Sequence, residues 1–268
     1  MANDTAWFQT VLTPVASKWG FSQSSLLEGL LLGIAFLAEN FFLELLSVSY
    51  VRALLADSRY GLSLYLQAVV AVMFNMLVLT PIVFATVALY LTDTHWSLPV
   101  QAFQVVSAIT VHSVLYYCAH RAMHTPQLYW AHRFHHRFCK HITPVVANAV
   151  TPIEFVIAYA VPFTIYAKLL NTLGCAPDHP SVHVAIVIIS VSNLAIHTPW
   201  LVQLSTKYLP AWVVGADDHF EHHLKLSKNY AAPTFNVDVA VSSTGKFARL
   251  LDRVFGKAYE KPVRPHKE

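Results

Sequence analysis

Fifteen histidines are spread unevenly over the 268 residues of this chain, and three short runs hold more than half of them. The first is His120-Arg-Ala-Met-His124. The second, seven residues on, is His132-Arg-Phe-His135-His136, and the third is His219-Phe-Glu-His222-His223. Residues three and four apart share one face of a helix, so each run can aim its imidazoles into one volume. Neutral imidazole suits iron, copper, zinc and nickel. Together the runs offer more ligands than the about four of a single zinc site, so the count fits two metals better than one. None of the runs contains cysteine, which argues against thiolate-held structural zinc and against an iron–sulfur cluster. A basic surface tract with scattered histidines is the plainer alternative, but it gives no reason for the spacing to recur three times.

The elements that must position these runs belong to a membrane protein. Hydrophobic residues make up 55% of the chain, charged residues only 12%, and the mean hydropathy is +0.46, too apolar for an ordinary soluble domain. Apolar stretches occupy about 25–47, 64–91, 99–118, 153–170 and 182–196. The last two are short for a full crossing and form a hairpin that either spans or dips partway. Pro81 predicts a kink in the second stretch. Glu28, Glu39, Asn40 and Glu44 interrupt the first, and because intramembrane carboxylates are costly toward lipid this helix is expected to pack one face on the bundle. Residues 49–63, with Arg52 and Arg59, read as a loop or interfacial segment. His112, two turns inside the third stretch, reads as a packed polar residue, and His141 as an interfacial loop histidine.

The third stretch runs into His120 and His124 at one membrane face, and the basic segment 124–146 keeps the second run in the same aqueous layer. The fifth stretch returns to that side at His197, and the polar segment 200–268 carries the third run. Sixteen of the eighteen Lys and Arg residues fall on this side, which makes it cytoplasmic by the positive-inside rule. The expected fold is an all-α integral membrane protein of four to five transmembrane or re-entrant helices. A cytosolic helical cap carries the histidine-rich two-metal site, and 1–268 forms a single domain. The net charge of +3 points to no nucleic-acid partner. Cys118, Cys139 and Cys175 lack paired spacing, which suits a reduced compartment. No glycine-rich nucleotide motif is present, so reducing power must come from elsewhere.

From Val111 to Lys257 the chain resembles the fatty acid hydroxylase and sterol desaturase superfamily, membrane di-iron oxygenases with histidine boxes H-x3-H, H-x2-H-H and H-x2-H-H. The likeness extends from His120 through Tyr129, over Ala216-Asp-Asp-His219-Phe-Glu-His222-His223 and Asn229-Tyr230-Ala231, to Leu251-Asp252-Arg253-Val254-Phe255-Gly256. The tract between the boxes looks most like C-4 methylsterol oxidases. It departs from them at Val150-Thr151-Pro152-Ile153-Glu154, where Thr151 replaces a familiar histidine, and at His197-Thr-Pro-Trp-Leu201.

The resemblance implies a monooxygenase or desaturase with His120, His124, His132, His135, His136, His197, His219, His222 and His223 as ligands to two iron ions, or to zinc in recombinant protein. It implies O2 as co-substrate, and electrons from an external haem carrier and an NAD(P)H-linked reductase. The substrate would be a membrane lipid or sterol, the setting lipid metabolism and sterol biosynthesis at the endoplasmic reticulum, with the boxes and C-terminus cytosolic and other sterol-pathway enzymes as partners. Alternatives in the same superfamily are a sterol C-5 desaturase, a squalene-epoxidising enzyme and a fatty acid or sphingolipid hydroxylase. From other classes come a metal-binding membrane carrier or sensor and, on the same scaffold, a zinc-bound lipid hydrolase or lyase. A ligating imidazole usually gives its other N–H to an acceptor, and Glu154, Asn193, Asp217, Asp218 and Glu221 are the candidates. Tyr116, Tyr117, Phe155 and Tyr159 are expected near substrate.

Overall fold

A computed structural model describes residues 13–14, 17–58, 61–244 and 246–256. Among them there is no β-strand; two isolated bridges, Thr92 with Asp178 and Val213 with Phe235, tie loops together. The helices are α1 (Gln23–Leu46), α2 (Val48–Ala56), α3 (Gly61–Ala88), α4 (Leu98–Met123), α5 (Pro152–Thr172) and α6 (His179–Ile196), then the shorter α7 (Val202–Tyr208), α8 (Ala216–Lys225), α9 (Val237–Thr244) and α10 (Lys246–Phe255). Five of these, α1 and α3 to α6, are long and apolar enough to cross a bilayer. Leu31, Leu45, Val70 and Phe103 on them are more than half exposed, as side chains facing lipid would be.

Two expectations change. The hairpin helices reach 21 and 18 residues; their first turns are capped, Thr151 accepting the N–H of Glu154 and Asp178 that of Ser181, bonds that hydropathy does not register. The segment expected as a loop after α1 contains α2, which buries Val51 and Leu54, three residues apart and so on one face.

α3 and α5 each contain a π-helical turn, Asn75–Leu79 and Val156–Ala160, that ends just before Pro81 and Pro162 respectively. Proline clashes with the carbonyl four residues back and has no N–H to give it, and a widened turn relieves both problems. At Pro81, where a kink is expected, the structure shows this widened turn. α1 packs on α3 through Gly29 and Gly33. A Cβ at Gly29 would lie 2.6 Å from the Cα of Pro81, and one at Gly33 would strike the carbonyl of Met76. Small residues four apart let two backbones approach in this way.

Asn40 and Glu44 of α1 and Asn75 of α3 turn inward and hold the loop between the second histidine run and α5. Asn40 Nδ2 donates to the Pro144 carbonyl at 3.0 Å, and Asn75 Nδ2 to those of Asn148 and Val150, each at 3.0 Å. Glu44 accepts from Thr143 Oγ1 at 2.9 Å, Val145 N at 2.8 Å and Tyr65 OH at 3.0 Å.

Candidate metal centre

α4 carries His120 in its last turn and ends on His124. A helical turn, Tyr129–His132, and a 3-10 turn, His135–Phe138, supply the second run. His197 closes α6, and α8 carries His219, His222 and His223. All nine side chains are buried.

They sort into two groups. His120, His124, His132, His136 and His222 form one, and His135, His197, His219 and His223 the other; within each, the potential ligand atoms lie within 4.8 Å of one another. His135 and His136 fall in different groups, as do His222 and His223. Successive residues on an α-helix point about 100° apart, so a His-His pair can serve two centres at once. The groups adjoin, with the ring centres of His136 and His223 4.7 Å apart.

Hydrogen bonds at the outer nitrogens fix what the inner ones can do. His120 Nδ1 lies 3.0 Å from the Tyr230 carbonyl, His132 Nδ1 2.5 Å from Glu154 Oε1, and His222 Nδ1 2.7 Å from the Lys228 carbonyl. A carbonyl or carboxylate oxygen only accepts, so these bonds assign the proton to Nδ1 and leave a lone pair on each Nε2 of the neutral ring. Yet His120 Nε2 and His132 Nε2 stand 2.9 Å apart, two lone pairs facing one another, which is unfavourable unless a cation lies between them. Metal bonds of about 2.0–2.1 Å in a tetrahedral site set ligand nitrogens about 3.3–3.4 Å apart. The other close Nε2 pairs of the five-histidine group stand at 2.8–3.2 Å, and those of the four-histidine group at 2.8–3.5 Å. The donor set therefore fits a metal ion in each group.

Burial keeps these rings neutral and able to ligate. Desolvation, reinforced by neighbouring imidazoles, holds His124, His135, His136, His219 and His223 well below the ordinary imidazole range. Desolvation also lowers His197 to about 4, against the opposing bond to the Asn193 carbonyl, and His222 to about 3, against that to Lys228.

Of the expected acceptors, Glu154 meets His132. Thr151 positions it: its hydroxyl accepts from the Glu154 N–H at 3.3 Å and donates to the Ala131 carbonyl at 2.7 Å, beside His132. Asn193 reaches His197 through its backbone carbonyl, 2.7 Å from Nδ1, while its amide donates to Tyr159 OH at 2.9 Å. The other three carboxylates make different contacts. Asp217 accepts from Ser205, Asp218 from the Gly215 N–H and Asn236, and Glu221 pairs with Lys225 and Lys228. They lie on the faces of α8 that its histidines do not use, so their expected contact with a ligating ring is not found. His141 pairs with Asp57 at 3.2 Å, and His112 is buried two turns below His120 among Tyr116, Tyr159 and Phe163.

Sequence reasoning missed the backbone acceptors of Lys228 and Tyr230. Leu226 and Asn229 adopt positive φ, 58° and 59°, and turn the chain so that those carbonyls face the rings. The asparagine of Asn229-Tyr230-Ala231 was the available signal, because asparagine tolerates this conformation. Also missed was Arg121, which bonds to Asp252 at 2.6 Å and to Tyr117 OH at 3.2 Å, docking α10 beside the first run.

Membrane-length helices closed over nine buried imidazoles define an integral membrane protein with a histidine-rich centre able to hold metal. The model of the fatty acid hydroxylase family matches residues 105–256, more than half of the chain and every histidine of the centre. The chain belongs to this family and is an oxidoreductase of the membrane hydroxylase and desaturase type. No curated protein and no solved structure matches it.

Proposed function

We propose that the chain is a di-iron oxidase that uses O2 and external electrons on a sterol or related membrane lipid, nearest in reaction to a C-4 methylsterol oxidase. The observation that carries this reading is the pair of buried histidine groups within the family match, and an apolar cavity lies near them. Its free volume is about 60 Å³, between α1, α3, α5 and α6, with Phe36, Phe84 and Phe163 among its walls; that is well short of the about 300–1,000 Å³ of a preformed small-molecule site, so a lipid must part these side chains to enter. Tyr159 and Asn148 line it too. Through Tyr159 it is two hydrogen bonds from His197, by way of Asn193.

Two irons would supply the means of activating dioxygen against an unactivated C–H bond, which no side chain offers. The protein's part is to bind and exclude. The nine imidazoles would hold both ions, with Glu154 and the carbonyls of Asn193, Lys228 and Tyr230 orienting four of them. The phenylalanine walls would seat a hydrocarbon skeleton and keep water from the reacting carbon. The family likeness supports a haem carrier and an NAD(P)H-linked reductase as electron source, the endoplasmic reticulum with the histidines cytosolic as location, and other sterol-pathway enzymes as partners.

The test is a sterol and fatty-acid profile of cells lacking the protein, rescued with the wild type or with His135→Ala. A 4-methylsterol that accumulates without the protein and persists with His135→Ala is the expected result. Accumulated squalene or an unhydroxylated fatty acid would overturn the sterol C-4 reading in favour of another reaction of the family.

A further inference from the structure

The last helix, α10, has sides of opposite chemistry, and only part of its surface meets the rest of the protein. At about 100° per residue, the order around the helix is Asp252, Phe255, Leu251, Val254, Leu250, Arg253, Arg249. Leu251 is buried in one cluster with Tyr117, Tyr230 and Val241, and Asp252 accepts from Arg121 at 2.6 Å. These contacts fix which way the helix faces. The remaining arc is open: Leu250 is 51% and Val254 63% exposed, and Arg253 and Arg249 beside them are exposed too. Among the described residues the ion pair found for α10 is that of Asp252 with Arg121, which leaves the positive charge of the arc unmatched.

The anchor places this arc at the bilayer. Arg121 lies in the last turn of α4 and falls within about 20° of a line along that helix through Phe103 and Val114. Both of those side chains are exposed on a membrane-length helix, so the line is one that α4 shows to lipid, and α10 docks at its end. Tyr117 stands one turn nearer the bilayer interior than Arg121. Turning around α10 from Asp252 to Leu251 therefore turns toward the membrane. Val254 and Leu250 come next, and the two arginines follow on the water side.

We propose that α10 is an in-plane membrane helix that binds anionic phospholipid, with Leu250 and Val254 in the boundary between headgroups and acyl chains and Arg249 and Arg253 on the headgroup phosphates. An apolar face bordered by basic residues favours this position. Arginine suits the ligand, because its planar fork can donate two bonds to one phosphate. The same side of the chain holds sixteen of its eighteen Lys and Arg residues, a charge that an anionic leaflet matches. A soluble protein seated on this arc would have to displace lipid from the end of α4. Because Arg121 adjoins His120, the contact also seats the histidine-bearing cap on the membrane. Binding by α10 does not depend on what the histidine centre oxidises.

The test is amide hydrogen exchange across 246–255 in the full-length protein, held in nanodiscs of phosphatidylcholine with or without phosphatidylserine. Each arginine near an anionic surface is worth about fivefold in binding. The protection that phosphatidylserine adds in the wild type should therefore fall about 25-fold in the double variant Arg249→Gln with Arg253→Gln, and return in Arg249→Lys with Arg253→Lys. Leu250→Glu should lose protection in both kinds of disc. Exchange that phosphatidylserine leaves unchanged in the wild type overturns the proposal, as does a gain that persists in the glutamine variant or that inorganic phosphate reproduces in phosphatidylcholine discs. Should the glutamine variant fold poorly, the wild type's own response to phosphatidylserine still decides. The assay uses no substrate, so failure of the oxidase reading would leave its result in place.

Discussion

Replacing Glu154 should weaken one metal position and spare the other. Its carboxylate, 3% exposed, accepts the Nδ1–H of His132 at 2.5 Å and so directs the His132 lone pair inward. A hydrogen bond to a charged partner contributes about 1.5–3 kcal/mol and a neutral one about 0.5–1.5. Glu154→Gln, which can still accept through its amide oxygen, therefore loses about 1 kcal/mol, or about fivefold in metal affinity. Glu154→Ala leaves the ring free to change tautomer, and removal of such a partner typically weakens a metal site about 10–100-fold. His132 belongs to the five-histidine group, so the loss should fall on one ion. The assay is metal retained per purified chain against a graded chelator series. Two-step release, with the weaker step shifted about fivefold in Gln and at least tenfold in Ala, is the expected outcome. Equal damage from Gln and Ala, or equal loss of both ions, would refute the account of what Glu154 does.

Other perturbations separate packing from chemistry. Gly33→Ala puts a methyl group against the Met76 carbonyl, and overpacking of this kind costs about 1–3 kcal/mol; a lowered melting temperature with an unaltered metal count is expected, and an unchanged melt would contradict the close helix contact. Asp252→Ala strips Arg121 of its carboxylate and should cost about 1–3 kcal/mol, much of it recovered in the double variant Arg121→Met with Asp252→Ala. Acid should destabilise the metal-free protein. His197 falls from 6.5 to about 4 on folding and His222 to about 3, so the unfolded chain binds more protons below pH 6.5 and stability drops as pH falls from there toward 3. For His197 alone the loss by pH 4 is about 3 kcal/mol. A melting temperature flat from pH 7 to 4 would mean that these rings are not buried as neutral groups.

Much of this was legible from spacing. The H-x3-H and H-x2-H-H runs require helical turns, and helical turns they are, with the lone His197 reached by tracing which membrane face the fifth apolar stretch returns to. What spacing could not reveal was the division of labour within a His-His pair. That His135 and His136 serve different groups depends on the direction in which the 3-10 turn enters the cap, a tertiary property. The carboxylates of α8 misled for a related reason: Asp217, Asp218 and Glu221 are near the ligands in sequence but fall on other faces of the helix. The acceptors found instead are largely main-chain carbonyls, which every residue has and which sequence therefore cannot single out. Gly29 and Gly33 carried a readable signal of their own, small residues one turn apart in an apolar helix, whose target on α3 depends on the π-helical turn before Pro81.

The polar residues inside the membrane bear on the metal centre without touching it. A buried polar group must find a partner, and where water and lipid offer none, a loop backbone can do so. Asn40, Glu44 and Asn75 spend their hydrogen bonds on segment 143–150. That segment joins the second histidine run to Thr151 and Glu154, so its register sets how His132 meets its acceptor. Unbonded, Glu44 in α1 would carry the desolvation penalty of a buried carboxylate, and the loop would carry those of several main-chain groups. Bonded, each removes the other's penalty, so the cap is held in the one arrangement that satisfies both. The same reasoning explains why the first apolar helix tolerates a carboxylate at all. The hydrogen-bonding demand of a buried carboxyl group near the end of α1 is what fixes a loop at the membrane edge.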